Sequence, residues 1–503
     1  MVHSNTPPHS FSAQLQEDVF PLNWKNPKPV AIYDLLVVGG GPGGMTAATL
    51  AKKLDAQVAF VEKEHFGGEC LSYGCIPSKA MIRSSRLVAE VCHAQQFGVE
   101  IPPNWKVNFH AVMQRVHRLQ ATISPHDSAE HFKKLGIDVF LGTGRFIGPN
   151  QLEVSGQIIN FKKAIIATGT QPVPFEIPGL SEADYHTNQT IFSLSTLPAR
   201  LGVIGGGPIS CELSQAFLRF GSQVTLMTHG SHLLPKDSPM ATERLRKELE
   251  REGMQIFTQT KVVRVEKKGK EKVLYLDQHS TSIPVDEILI AAGRAPVVEG
   301  LGLDQAGVSY DSHQGISTND FLQTSNPNIY AIGDVTSKYK FTHISKELAS
   351  IAVTNALKDG QEQKNALIVP WCTFTSPEIA HVGLSQEEAQ ERGIATEIAV
   401  VELADVDRAI LDEETTGFVR LMVKKGSHAI IGADIMAEHA GDLIAQVGVA
   451  MASEKGLLAL AKSIHPFPTQ SQAIRTAAER LLQQQSSVNS IETSKWNQAA
   501  KLL

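Results

Sequence analysis

The sequence predicts an α/β protein: two Rossmann-like dinucleotide-binding domains followed by a C-terminal α+β domain. Three observations carry this. A buried-strand pattern, a glycine-rich turn and a helix pattern occur in that order at residues 34–54, and a strand ending on an acid follows at 57–62. The same unit recurs at 200–227. Past about residue 366, strand-like runs such as 417–423 and 429–433 precede a helical stretch at 443–461, which is the order of an α+β domain.

With 503 residues, 42% of them hydrophobic and 19% charged, the chain can bury several cores. A net charge of −6 and a pI near 6.3 give no reason to expect a nucleic acid or an anionic membrane as partner. No apolar run approaches the ~18 residues of a membrane span. Residues 1–30 hold no signal-type apolar segment and read as a loose extension. Five cysteines, an odd and sparse set, argue against a secreted disulfide framework and for a reducing compartment, so a cytoplasmic location is expected.

In the first unit, Gly39-Gly40-Gly41-Pro42-Gly43-Gly44 fits G-x-G-x-x-G between strand and helix. Gly39 and Gly41 permit a tight turn and close approach of a pyrophosphate, and Gly44 lets the helix pack on the strand. Glu62 stands at the spacing of the acid that binds a ribose hydroxyl, with a plain surface acid as the alternative. Cys70 and Cys75 follow, separated by four residues. They can close and reopen a small disulfide loop, and a helix starting at the second would lower its thiol pKa. The spacing is not that of a zinc site.

The stretch Gly67-Gly-Glu-Cys-Leu-Ser-Tyr-Gly-Cys-Ile-Pro-Ser-Lys79 closely resembles the active-site motif of the flavoprotein pyridine-nucleotide–disulfide oxidoreductases, a family that includes glutathione reductase, dihydrolipoyl dehydrogenase and mercuric reductase. The resemblance extends through most of residues 33–480. It implies FAD as cofactor, Cys75 as the charge-transfer thiolate against the flavin, Cys70 as the interchange thiol and Lys79 near flavin N5. Ala167-Thr168-Gly169 resembles the exit of the flavin domain, and Ile329-Tyr-Ala-Ile-Gly-Asp-Val335 the second FAD motif, in which Asp334 would bind the ribityl chain.

Gly205-Gly-Gly207-Pro-Ile-Ser210 resembles the nicotinamide-nucleotide site, and Glu212 would pair with Lys79. Ser210 replaces the third glycine, and Pro208 stands where a gating tyrosine is frequent. The strand that follows ends without an acid, and His229, His232 and Lys236 lie nearby. That combination favours NADPH over NADH, though the histidines read equally as surface loop residues. Gly293, in Ala291-Ala-Gly-Arg294, marks the end of this domain. The implied division is an FAD domain at 31–185 and 309–365, an NAD(P) domain at 186–308, a dimerisation domain at 366–482 and a tail at 483–503, in a homodimer.

The C-terminal segment departs from the disulfide reductases. Aligned on Pro468-Thr469, the family's catalytic histidine becomes Phe467 and its glutamate becomes Gln472. His465 lies two residues early. Without an acid at 467, dithiol–disulfide exchange should be slow. The pattern is nearer to mercuric reductase, where reduced Cys70 and Cys75 would transiently hold Hg(II) as substrate. The C-terminal cysteine pair and the N-terminal metal-carrier domain of that enzyme are missing, so the chain resembles its shorter branch. A small-molecule or metal-ion acceptor is expected. A disulfide reductase like dihydrolipoyl dehydrogenase or glutathione reductase, and a low-turnover flavin sensor, are the alternatives.

Overall fold

The computed structural model describes residues 10–277, 282–358 and 360–499. They fall into two compact units: 10–205 with 216–227, 260–277, 282–358 and 360–367, and 206–215 with 228–259 and 368–499. The expected NAD(P) segment is thus shared between the two. Residues 1–9 of the expected extension and 500–503 of the expected tail lie outside the described residues.

The first unit is built on a seven-stranded sheet. Its strands are β1 (Tyr33–Val38), β2 (Val58–Glu62), β3 (Asp138–Leu141), β4 (Gly144–Gly148), β5 (Gln151–Val154) and β6 (Gln157–Ile166), in the order β3-β2-β1-β6-β5-β4, with Ile329–Ala331 added parallel to β6. Leu35–Val38 of β1 and Val58–Val61 of β2 are runs of Leu, Val, Ala and Phe, all buried, as strands covered on both faces require. Helix Pro42–Lys53 crosses from β1 to β2, with Pro at its first turn and Gly41 as N-cap. The second glycine-rich turn follows strand Arg200–Ile204, which pairs in parallel with Gln223–Met227 and with Glu287–Ile290.

The N-terminal segment corrects the expectation of a loose extension. Ser10–Val19 is helical and Val19 is buried. Asp18 accepts a hydrogen bond from Ser124 Oγ at 2.6 Å, and the Val19 carbonyl accepts one from the Phe66 N–H at 3.0 Å. Farther along, the Trp24 indole donates to Val139 O at 3.1 Å, and Asn26 exchanges two bonds with Leu141, at 3.0 and 2.8 Å. These side chains occupy the open edge of β3, which would otherwise present unpaired backbone groups.

The second unit contains an antiparallel five-stranded sheet in the order Pro370–Thr373, Glu378–Gly383, Ile430–Ala437, Phe418–Lys424, Thr396–Glu402. Helices Ala440–Ala452, Leu457–Lys462 and Gln472–Ala499 contribute to its core through Leu443, Val447, Leu460, Ile474 and Ala477. The helical stretch expected at 443–461 is therefore two helices, broken at Gly456, whose φ of +46° suits glycine.

Candidate active site

The glycine turns show where space is needed. A Cβ on Gly39 would sit 2.4 Å from Ala167 O, and one on Gly44 would sit 1.8 Å from Gly39 O, so the turn and the helix close directly on each other. A Cβ on Gly41 meets nothing within 4 Å, and the same is true of Gly169 and Gly207. In the first turn, crowded Gly39 and Gly44 beside open Gly41 describe a cradle that a phosphate-bearing dinucleotide fits, facing a helix N-terminus. Glu62, at the end of its strand, is buried. It accepts hydrogen bonds from the N–H groups of Gly40, Glu64 (2.6 Å) and His65 (3.1 Å). Burial pushes its carboxyl above the usual range, against the pull of those bonds.

The cysteine loop rests on this turn. Gly67 N–H donates to Gly40 O at 2.9 Å, and a Cβ on Gly68, at φ +57°, would lie 2.8 Å from Gly41 Cα. Cys70 lies in the short helix Gly68–Ser72, and Cys75 is the first residue of helix Cys75–His93. Cys70 is half-buried and Cys75 exposed. Lys79 is one turn past Cys75 on the same helix. The hydroxyl of Thr342, first residue of helix Thr342–Leu357, donates to Cys70 Sγ at 3.4 Å and lies 3.5 Å from Cys75 Sγ. The hydrogen bond to Cys75, and then burial, raise the Cys70 thiol far above its ordinary value. The start of a helix at Cys75 favours a thiolate there.

Three residues that local pattern reading missed organise this centre. Gln120, buried on helix Phe109–Ile123, donates to Leu71 O (2.8 Å) and Ser72 O (3.0 Å), fixing the backbone just after Cys70. Arg294, read in the sequence only as a boundary, pairs with Glu69 and donates to Thr170 Oγ1 (2.8 Å) and Thr170 O (2.9 Å). Thr170 Oγ1 in turn donates to Asp334 at 3.3 Å. Burial raises the Asp334 carboxyl above its usual range, although Arg294 and Lys340 oppose this. Thr168 donates its hydroxyl to Val297 O at 2.8 Å. Arg294 thus joins the residues expected at the flavin-domain exit to Asp334. The third missed residue is Thr342, whose only sequence signal was its place before an apolar run.

Glu212, in the second unit, is buried and accepts the Phe374 N–H at 2.9 Å. Gly205, at φ +133°, opens the second turn, and Ser210, fully buried, fills the third-glycine place. Gly293 adopts φ +141°, a glycine conformation. His229 and Lys236 are exposed, and His232 Nδ1 lies 2.9 Å from Leu233 O. His465 Nδ1 lies 3.0 Å from Ser471 Oγ, itself 2.8 Å from Thr469 Oγ1, in the turn that opens the last helix. Burial, then Arg475, lower its pKa. Phe467 is 70% exposed, Ile464 92% and Val449 73%, an apolar surface on this unit. Among the described residues no cluster of three or more His, Cys, Asp or Glu could hold a metal ion, and no helix is long and apolar enough to cross a membrane.

The pyridine nucleotide-disulphide oxidoreductase model matches residues 33–356, and the dimerisation domain of the same group matches 369–478. The chain belongs to that family. The family is FAD-dependent and uses a pyridine nucleotide. The mercuric reductase of Staphylococcus aureus is 34% identical over 448 residues, covering 89% of this chain and 82% of the relative. The dihydrolipoyl dehydrogenase of Thermus scotoductus is also 34% identical, over 461 residues, covering 90% of this chain and 98% of the relative. Among solved structures, the HOCl-induced flavoprotein disulfide reductase RclA of Escherichia coli superposes with a TM-score of 0.79 at 26% identity, covering 89% of this chain and 99% of that one. LpdA of Mycobacterium tuberculosis gives 0.81 at 25%, with the same coverage. The chain is thus a flavoprotein disulfide oxidoreductase in family and fold, with relatives of different specificity at equal distance.

Proposed function

We propose that this oxidoreductase draws electrons from NADPH, stores them as the Cys70–Cys75 dithiol, and reduces a soft electrophile such as thiol-bound Hg(II). FAD, when bound, carries two electrons from the nicotinamide nucleotide to the Cys70–Cys75 disulfide. Gly39, Gly41, Gly44, Glu62, Thr168, Gly169 and Asp334 would hold it, with Lys79 beside it. Gly205, Gly207, Glu212 and Gly293 would form the nicotinamide-nucleotide side, and the absence of an acid after the second strand favours NADPH. The protein would act as a cytoplasmic homodimer.

The observation that carries the choice of acceptor is Phe467. The position that would supply an acid to a leaving thiolate holds an exposed phenyl ring, and His465 faces Ser471. Reducing Hg(II) needs two thiolate ligands and two electrons but no acid for a leaving thiol. A second reading, a lipoamide-type disulfide reductase, is supported by the 34% identity to a dihydrolipoyl dehydrogenase. Oxidation of NADPH and NADH, followed side by side with Hg(II) in excess thiol, with glutathione disulfide and with lipoamide, separates the two. Fast turnover of either disulfide refutes the role given to Phe467.

A further inference from the structure

The loop after strand Gln223–Met227 wraps the second glycine turn. Leu234 N–H donates to Gly206 O at 2.7 Å, and a Cβ on Gly206 would lie 2.7 Å from Thr228 Oγ1. Leu233 and Leu234 are buried, and Asp237 N–H donates to Leu234 O at 2.9 Å, so Asp237 closes the loop. His229, His232 and Lys236, the residues nearest a 2′-phosphate in the NADPH reading, all sit on it.

One short segment of the C-terminal sheet holds both this loop and the helix after the turn. The indole N–H of Trp371 donates to buried Asp237 Oδ1 at 2.8 Å. Phe374 N–H donates to Glu212, Ser376 N–H donates to Gln215 Oε1 at 2.8 Å, and Ser376 O accepts from Gln215 Nε2 at 2.7 Å. Behind the indole, His381 stacks at 4.2 Å between ring centroids. Its two ring nitrogens face only acceptors, Asp434 Oδ1 at 2.8 Å and Gly383 O at 3.0 Å, which requires an imidazolium. Arg420 Nε donates to the other Asp434 oxygen at 2.8 Å. A cation therefore lies against the aromatic face, and the indole is planted on a buried charged base.

We propose that Trp371, through Asp237, is a positioning residue for the nicotinamide nucleotide: it holds loop 228–237 against the glycine turn before the nucleotide arrives. This rests on the reading of Gly205–Gly207 as the nicotinamide-nucleotide turn. A loop freed from the indole must be ordered by the ligand itself, which weakens binding. The route from nicotinamide to flavin is not touched, so the limiting rate stays.

The test is anaerobic reduction of FAD-loaded protein by NADPH, followed by flavin absorbance in stopped flow. Trp371→Phe keeps a ring against His381 and loses only the N–H, and Asp237→Leu removes the acceptor. Each should raise the apparent Kd for NADPH about tenfold, with the limiting rate of bleaching within about twofold of wild type. The double variant should also show about tenfold rather than a hundredfold, because both changes break one contact. An unchanged apparent Kd in both variants, or a multiplicative loss in the double, overturns the positioning role. A wild-type flavin that neither NADPH nor NADH bleaches overturns instead the nucleotide reading beneath it.

Discussion

Replacing Gly41 by alanine separates the space a cofactor needs from the space the fold needs. Gly41 has φ −74° and ψ −179°, open to any residue, and its added Cβ meets no atom within 4 Å. The apo protein should therefore fold as before, or gain about 0.4–1 kcal/mol from a less flexible unfolded chain. In the loaded protein the same methyl enters the volume assigned to the pyrophosphate. Forcing one carbon into a packed site costs about 1–3 kcal/mol, which weakens FAD binding about 5- to 160-fold. Gly44→Ala is the contrast: its Cβ would lie 1.8 Å from Gly39 O, so the apo fold itself should suffer. Thermal unfolding of apo protein with and without added FAD, together with an FAD titration by flavin fluorescence, reads both effects. Gly41→Ala with an unchanged apo Tm and a smaller FAD-induced rise is the expected outcome. Wild-type FAD affinity in Gly41→Ala, or an apo Tm that falls as in Gly44→Ala, would refute the cradle.

Cys70→Ala should leave flavin bleaching by NADPH intact and reduce acceptor turnover to background; loss of bound FAD would instead mark Cys70 as structural. Phe467→His combined with Gln472→Glu should raise lipoamide or glutathione-disulfide turnover at least about tenfold, since a placed general acid contributes about 10²–10⁴. An unchanged rate would show that the acid is not what is lacking. Burial pushes the Asp237 carboxyl up to about 6, above its unfolded value, despite the bond from Trp371. The folded state thus retains this proton longer than the unfolded chain, so the residue lowers stability as pH rises from about 4 to 6 and the full penalty is present above 6. Asp237→Asn removes it, a gain of up to about 3 kcal/mol at pH 7.5 that vanishes near pH 4; a Tm difference independent of pH would contradict this. Asp434→Asn leaves His381 and Arg420 with a weakened buried partner and should destabilise the protein by about 3–5 kcal/mol, measured by denaturant unfolding.

The parts of the site that were legible in the sequence are those whose chemistry is written within a dozen residues. Gly39, Gly41 and Gly44 stand out through their spacing between strand and helix, and Cys70, Cys75 and Lys79 through an unbroken motif. Gln120, Arg294 and Thr342 did not, because each reaches the cysteine loop from a distant segment and its local sequence gives no sign of the destination. The N-terminal segment misled for a related reason. The segment read as a loose extension, whereas Asp18, Trp24 and Asn26 use their polar groups on Ser124, Val139 and Leu141. The helical stretch at 443–461 was legible as apolar periodicity, but the break at Gly456 depends on a close approach to the His428 carbonyl that periodicity does not encode.

The contact between Gly68 and Gly41 has an evolutionary consequence. Backbone meets backbone there, as it does between Gly44 and Gly39, so the cysteine loop and the dinucleotide turn leave no side chain through which either can drift alone. If position 467 sets the acceptor as proposed, the choice is made away from this joint, at an exposed side chain that no backbone contact of this kind constrains.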